Sequence, residues 1–209
     1  MAHTSSTPPA GTSPEWRRMA RRHLVRFRGP VLIDEGAVRE LCRYARQGYD
    51  TPRKKETYGF LFGALTDDGR IVVRRSCYYR GGIKTRTGVV FKDWATVRRI
   101  ARRRRELAAG MRMRFFGSFH SHVEIAGAVF KGLSDEDRDS FANDPMSTLE
   151  VIVFVWPGDH RRVERSRRDI VGYESATGYN YRIRCHAKRT GSIRQTSIRV
   201  VPSGVTIVQ

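Results

Sequence analysis

Three observations predict a three-layer α/β domain, with a mixed, mostly antiparallel sheet held between helices. Two stretches repeat their apolar residues at helical spacing: Val38, Leu41, Cys42 and Ala45 in one, Trp94, Val97, Ile100 and Leu107 in the other. Around them lie β-type runs, Thr57 to Leu65, Arg70 to Tyr79 and Leu149 to Trp156. Between the first two of these, Asp67-Asp68-Gly69 reads as a hairpin turn.

Residues 1–14 are rich in Ser, Thr, Pro and Gly, bury too little apolar surface to fold, and are expected to form a disordered tail. Residues 15–30 follow as a basic arm bearing Arg17, Arg18, Arg21 and Arg22, a solvated face or a phosphate dock. From 31 to 209 the chain reads as a single domain with a C-terminal β extension. A first helix should run from Asp34, a capping residue, to Gln47, where Gly48 fits its end. The second, Lys92 to Ala109, has a polar face of Arg98, Arg99, Arg102, Arg103, Arg104 and Arg105. Like charges at i,i+4 cost a bare helix about 0.2–0.5 kcal/mol per pair, so packing or an anionic partner must offset them. After Gly110 come a strand through His120 and His122, a loop from Val123 to Leu133, and a helix from Ser134 to Phe141. Alternation in Ile170 to Tyr173 and in Tyr179 to Cys185 continues the sheet.

Lys and Arg number 40 against 21 Asp and Glu, a formal charge of +19 that favours anionic partners such as nucleic acid or an acidic protein. No stretch approaches the ~20 apolar residues of a spanning helix, and Met1 to Pro14 lacks the apolar centre of a signal peptide. A cytoplasmic protein without membrane attachment is expected. Cys42, Cys77 and Cys185 are odd in number and far apart, which suits packing thiols better than a disulfide frame. His160 and His186 read as surface or packing residues.

The chemistry gathers in Phe119-His120-Ser121-His122 and Leu133-Ser134-Asp135-Glu136-Asp137. Two histidines two apart on a strand point to one face, and Ser134 as a helix cap puts Asp137 in the first turn, a candidate third ligand. Three protein ligands with a fourth position for water make a catalytic type of metal site. On these residues alone the pattern is also compatible with an ordinary capping box. Asp135, Glu136 and Asp139 are rival carboxylates. Two imidazoles favour Zn²⁺ over magnesium and leave iron and manganese open. Upstream, Glu56 precedes an apolar run bounded by Gly59 and Gly63, and could reach a metal-bound water.

Glu56 with Gly59 and Gly63, then His120-Ser121-His122, then Ser134 with Asp137, resembles the JAMM (MPN+) metalloproteases over about residues 31–157. The spacing from His122 to Ser134 is longer than that family's, and Val123 stands where the family has proline. The resemblance implies a JAMM/MPN-like domain in which His120, His122 and Asp137 hold zinc. Glu56 would be the general base and acid, and Ser134 would hydrogen-bond the oxyanion. It implies hydrolysis of amide or isopeptide bonds at the C-terminus of a ubiquitin-like protein, with Val123 to Leu133 as a substrate flap. Inactive relatives serve as scaffolds but lose the ligands that this sequence retains.

Overall fold

The computed structural model describes residues 24–84, 88–90, 94–124, 132–158, 166–189 and 192–203. The expected tail, most of the basic arm, most of the Val123 to Leu133 loop and His160 lie outside these residues.

Strand β1 (Val31–Asp34) runs directly into helix α1 (Glu35–Tyr49), whose first turn is capped by the Asp34 carboxylate accepting from Gly36 N–H at 2.7 Å. Ala37, Leu41 and Ala45 recur at i, i+4 and i+8 and are buried against the sheet. The hairpin β2 (Tyr58–Leu65) and β3 (Ile71–Tyr78) follows. Gly59 and Gly63 are dictated by close approach, since a Cβ on Gly59 would stand 2.4 Å from the Phe119 ring and one on Gly63 1.8 Å from the Val72 carbonyl oxygen. Two short strands, β4 (Ile83–Lys84) and β5 (Val89–Val90), pair with each other. Helix α2 (Trp94–Met111) leads to β6 (Arg114–Val123), and α3 (Asp135–Asn143) forms part of the crossover to β7 (Leu149–Pro157). The chain closes with β8 (Ile170–Glu174), β9 (Tyr179–Arg189), β10 (Ser192–Thr196) and β11 (Ile198–Val201).

These strands overturn the expected three-layer α/β arrangement. Nine of them form one mixed sheet in the order β10-β9-β7-β6-β2-β3-β1-β11, with β8 beside β9. Only Ser197 separates β10 from β11, so the two ends of the order are neighbours in sequence. Ile198 N–H donates to the Arg168 carbonyl at 3.1 Å, bringing β11 up to the start of β8. The sheet is therefore curled into a nearly closed, barrel-like wall instead of lying flat between two helical layers. The reason lies in β1, β10 and β11, short segments whose weak alternation marks no individual strand in the sequence. Together they carry the sheet round, and among the described residues only three helices accompany it.

Helix α1 fills the inner side, where Leu41 and Ala45 share a core with Ile33, Leu61, Val73, Phe119, Val151 and Ile183. On the other side Ile100 of α2 packs with Phe60 and Phe62, and a third cluster joins Leu133 to Ile152 and Phe154. Cys42 and Cys77 pack against the first and second clusters, as expected, and Cys185 is buried; all three are free thiols.

Candidate metal centre

Strand β6 lies between β2 and β7, with His120 opposite Tyr58 on one side and Ile152 on the other. Alternation sends Phe119 and Val123 into the α1 core, and so turns Ser118, His120 and His122 to the opposite face. Ser121 between them is fully buried and does a separate job. Its N–H donates to the Thr57 carbonyl at 3.0 Å, and its Oγ lies 2.8 Å from Thr57 N–H and 2.9 Å from Thr57 Oγ1. Glu56, next to Thr57, is thereby brought level with the histidines and lines one cavity with His120 and Asp137.

Asp137 arrives from α3. Ser134 caps this helix, its Oγ accepting from Asp137 N–H at 3.0 Å while Asp137 Oδ2 accepts from Ser134 N–H at 3.1 Å. The same Oδ2 stands 3.5 Å from His120 Nε2 and 3.5 Å from His122 Nε2, which are 3.0 Å from each other. Among the described residues these three form the one group able to hold a metal ion. Ligand atoms at ~2.0–2.2 Å in a tetrahedral zinc site stand about 3.3–3.5 Å apart. The observed triangle is close to that, while 3.5 Å is long for a hydrogen bond. Nitrogen and oxygen donors in this ratio suit zinc, and His120 and Asp137 line a cavity in which a water could reach an ion held there. Of the rival carboxylates, none of Asp135, Glu136 and Asp139 enters the group.

Glu150 on β7, absent from the sequence reading, completes the arrangement. Its Oε1 is 2.7 Å from His120 Nδ1 and its Oε2 accepts from Ser118 Oγ at 2.7 Å, with Glu150 only 6% exposed. A carboxylate acceptor requires the proton on Nδ1, which in the neutral ring leaves the Nε2 lone pair facing His122 and Asp137. The signal was a lone acid in the apolar run Leu149 to Trp156, because a buried carboxylate needs a partner.

The charges are strongly coupled. Burial pushes the Glu56 carboxyl up to about 8, with the His120 charge opposing and Asp137 reinforcing the shift. Burial also works to raise the Asp137 carboxyl, but His120 and His122 pull it far below the usual range. For His120, burial disfavours the charged ring and the carboxylates of Asp137 and Glu150 overcome it, raising its pKa well above ordinary in the metal-free protein.

Arg104, expected on the solvated face of α2, is instead buried. It donates to Asp144 Oδ2 at 2.7 Å and to Tyr58 Oη at 2.9 Å and lies 4.6 Å over the Phe115 ring. Asp144 is the C-terminal cap of α3. The helix carrying Asp137 is thus fixed at both ends. Arginines repeat so densely in α2 that charge alone did not mark which one turns inward. His186, expected to be a surface or packing residue, is buried on β9, and burial lowers its pKa to about 4.

No family model and no curated protein matches this chain. Its fold is similar to the solution structure of protein DSY2949 from Desulfitobacterium hafniense, at a TM-score of 0.50 and 13% identity, covering 83% of this chain and 94% of the other. That likeness concerns the fold alone.

Proposed function

We propose that this chain is a JAMM (MPN+)-type zinc metallopeptidase that hydrolyses amide or isopeptide bonds at the C-terminus of a ubiquitin-like protein or its conjugate. The observation that carries the reading is the convergence of His120 Nε2, His122 Nε2 and Asp137 Oδ2 on one point. A buried acid beside them supports it. Zinc held by these three residues would supply Lewis-acid activation of water, bringing the water's pKa down to about 7.

Glu56 takes the proton from the attacking water and returns it to the leaving amine. Its position in the cavity beside His120 and Asp137 places one buried carboxyl where it can serve both transfers. Ser134 Oγ already accepts from Asp137 N–H, which leaves its O–H free to donate to the oxyanion; such a donor contributes about 10²–10³ in rate in other enzymes. Glu150 holds the His120 ring in one tautomer, and Asp137 sits on a helix fixed at both ends. No helix among the described residues is long and apolar enough to cross a membrane. With three free thiols, a reducing, cytoplasmic setting fits the chain.

The test is metal analysis paired with hydrolysis of ubiquitin-like C-terminal conjugates by the wild type, His122→Ala and Glu56→Gln. Bound zinc and cleavage that both vanish in His122→Ala support the reading. Cleavage that persists without metal overturns it.

A further inference from the structure

The outer face of α2 is almost wholly arginine. Arg98, Arg99, Arg102, Arg103 and Arg105 are exposed, while Arg104 alone among them turns inward. Elsewhere on the surface arginines have carboxylates of their own: Arg39 with Glu35 at 3.2 Å, Arg46 with Glu174 at 3.2 Å, Arg70 with Asp68 at 2.7 Å and Arg75 with Glu40 at 2.8 Å. On α2 a single acid, Glu106, is shared between Arg102 at 3.7 Å and Arg103 at 3.5 Å. Arg98 and Arg105 have no ion pair within the described residues. The helix therefore keeps a block of like charge that its own sequence does not neutralise.

Arg99, Arg102 and Arg103 of this block form one wall of a cleft, with Arg98 and Arg105 on the helix beside it. Arg80, exposed just beyond β3, lines it together with Arg99, Arg102 and Arg103, and the one acid in the lining, Glu106, is the carboxylate that Arg102 and Arg103 share, so four guanidinium groups face a single negative charge there. Arg98 to Arg105 covers about 10 Å of helix axis, about three phosphate intervals along one strand of a duplex. Guanidinium groups bind phosphate oxygens through two parallel N–H donors, a geometry suited to a row of phosphates. A protein partner would require an apolar centre to bury. Of the large hydrophobic residues exposed in the described structure, Val97, Tyr173 and Val200, only Val97 belongs to α2. We infer that α2 and Arg80 form a docking surface for the phosphate backbone of a nucleic acid, one that holds the backbone without reading bases. The inference rests on this surface and is independent of the metal centre.

The experiment uses the full chain and a short fluorescent DNA duplex of mixed sequence, with affinity followed by anisotropy as salt is raised. Each phosphate contact contributes about 0.9 to the slope of log affinity against log salt, so Arg98→Gln, Arg102→Gln and Arg105→Gln together should lower that slope by about 2.7. A control triple, Arg39→Gln, Arg167→Gln and Arg199→Gln, removes the same net charge from exposed sites elsewhere and should leave the slope near that of the wild type. Arg80→Gln alone should reduce the slope by about 0.9, which tests the far wall of the cleft without altering the helix. Equal losses in the two triples would show that only net charge matters and would overturn the inference. Absence of duplex binding by the wild type would overturn it too. Poly-glutamate of matched length binding as tightly as the duplex would assign the surface to an acidic protein instead. An unchanged midpoint of thermal unfolding in every variant reports that each has folded.

Discussion

Replacing Glu150 tests how far the ligand geometry depends on a residue that touches no substrate. In the wild type one buried carboxylate accepts from His120 Nδ1–H and from Ser118 Oγ, each at 2.7 Å. Glu150→Ala strands both donors away from water at about 1–3 kcal/mol apiece, giving a loss of stability of about 2–6 kcal/mol. It also frees the imidazole to adopt the wrong tautomer or rotate, and loss of such an outer partner weakens metal binding by about 10–100-fold. Glu150→Gln separates the two effects. Its amide oxygen can accept from Nδ1–H while its NH₂ donates to a reoriented Ser118 hydroxyl, so both hydrogen bonds survive and only the charge is lost. The glutamine variant should stay within about 1 kcal/mol of wild-type stability, with a fall in zinc affinity smaller than that of the alanine variant. Chelator competition gives the affinities, denaturant unfolding of the metal-free proteins gives the stabilities, and nitrogen chemical shifts of His120 report the tautomer. Unchanged zinc affinity in Glu150→Ala would refute the reasoning.

Purified protein should carry about one zinc per chain, and the His120→Ala, His122→Ala double variant should carry none; metal analysis that finds equal content in both removes the site. Glu56→Gln should retain zinc yet lose hydrolysis, whereas loss of metal would make Glu56 a ligand. In the metal-free protein Glu56 has its carboxyl raised from 4.5 to about 8, chiefly by burial, so the folded state holds a proton that the unfolded state has released. Stability should therefore fall as pH rises from about 4.5 to about 8, and Glu56→Gln should gain on the order of 5 kcal/mol over wild type above that window but little below it. Unfolding curves at both ends of the range that show a constant difference would contradict this. Arg104→Ala leaves Asp144 buried beside α3 without its guanidinium and should cost about 3–5 kcal/mol, read as a lowered midpoint of thermal unfolding; a change below about 1 kcal/mol would show that the pair does not anchor the helix.

Local pattern carried most of the individual elements. The Asp34 cap, the spacing of Leu41 and Ala45, the Asp67-Asp68-Gly69 turn and the apolar run of β7 are signals within a few residues, and each led to the element observed. The histidine pair and the Ser134 cap were legible for the same reason, since two-residue alternation and a capping box are short-range devices. Closure of the sheet was not legible. It depends on β1 pairing in parallel with both β3 and β11, contacts across long stretches of chain in which β1 and β11 are strands of only four residues that carry little periodicity. Glu150 and Arg104 were hidden similarly, because their partners, His120 and Asp144, lie 30 and 40 residues away and meet them only once the sheet has formed.

The meeting of β11 with the start of β8 bears on how much sheet edge this chain offers to other chains. An open sheet edge offers unpaired N–H and C=O groups to any other chain, and long, flat, apolar edges seed aggregates. Strands β2 and β7, the most apolar of the long strands among the described residues, are paired on both sides in the interior of the ladder. What remains at the two ends are β10 and β11, five and four residues long, with exposed arginines at Arg194 and Arg199. Short, charged edges are poor templates for fibril growth. A truncation ending before β11 would bare the outer edge of β1, whose Val31, Leu32 and Ile33 would then offer an apolar edge to another chain, while β6 and α3, which carry the metal ligands, do not pair with the lost strand.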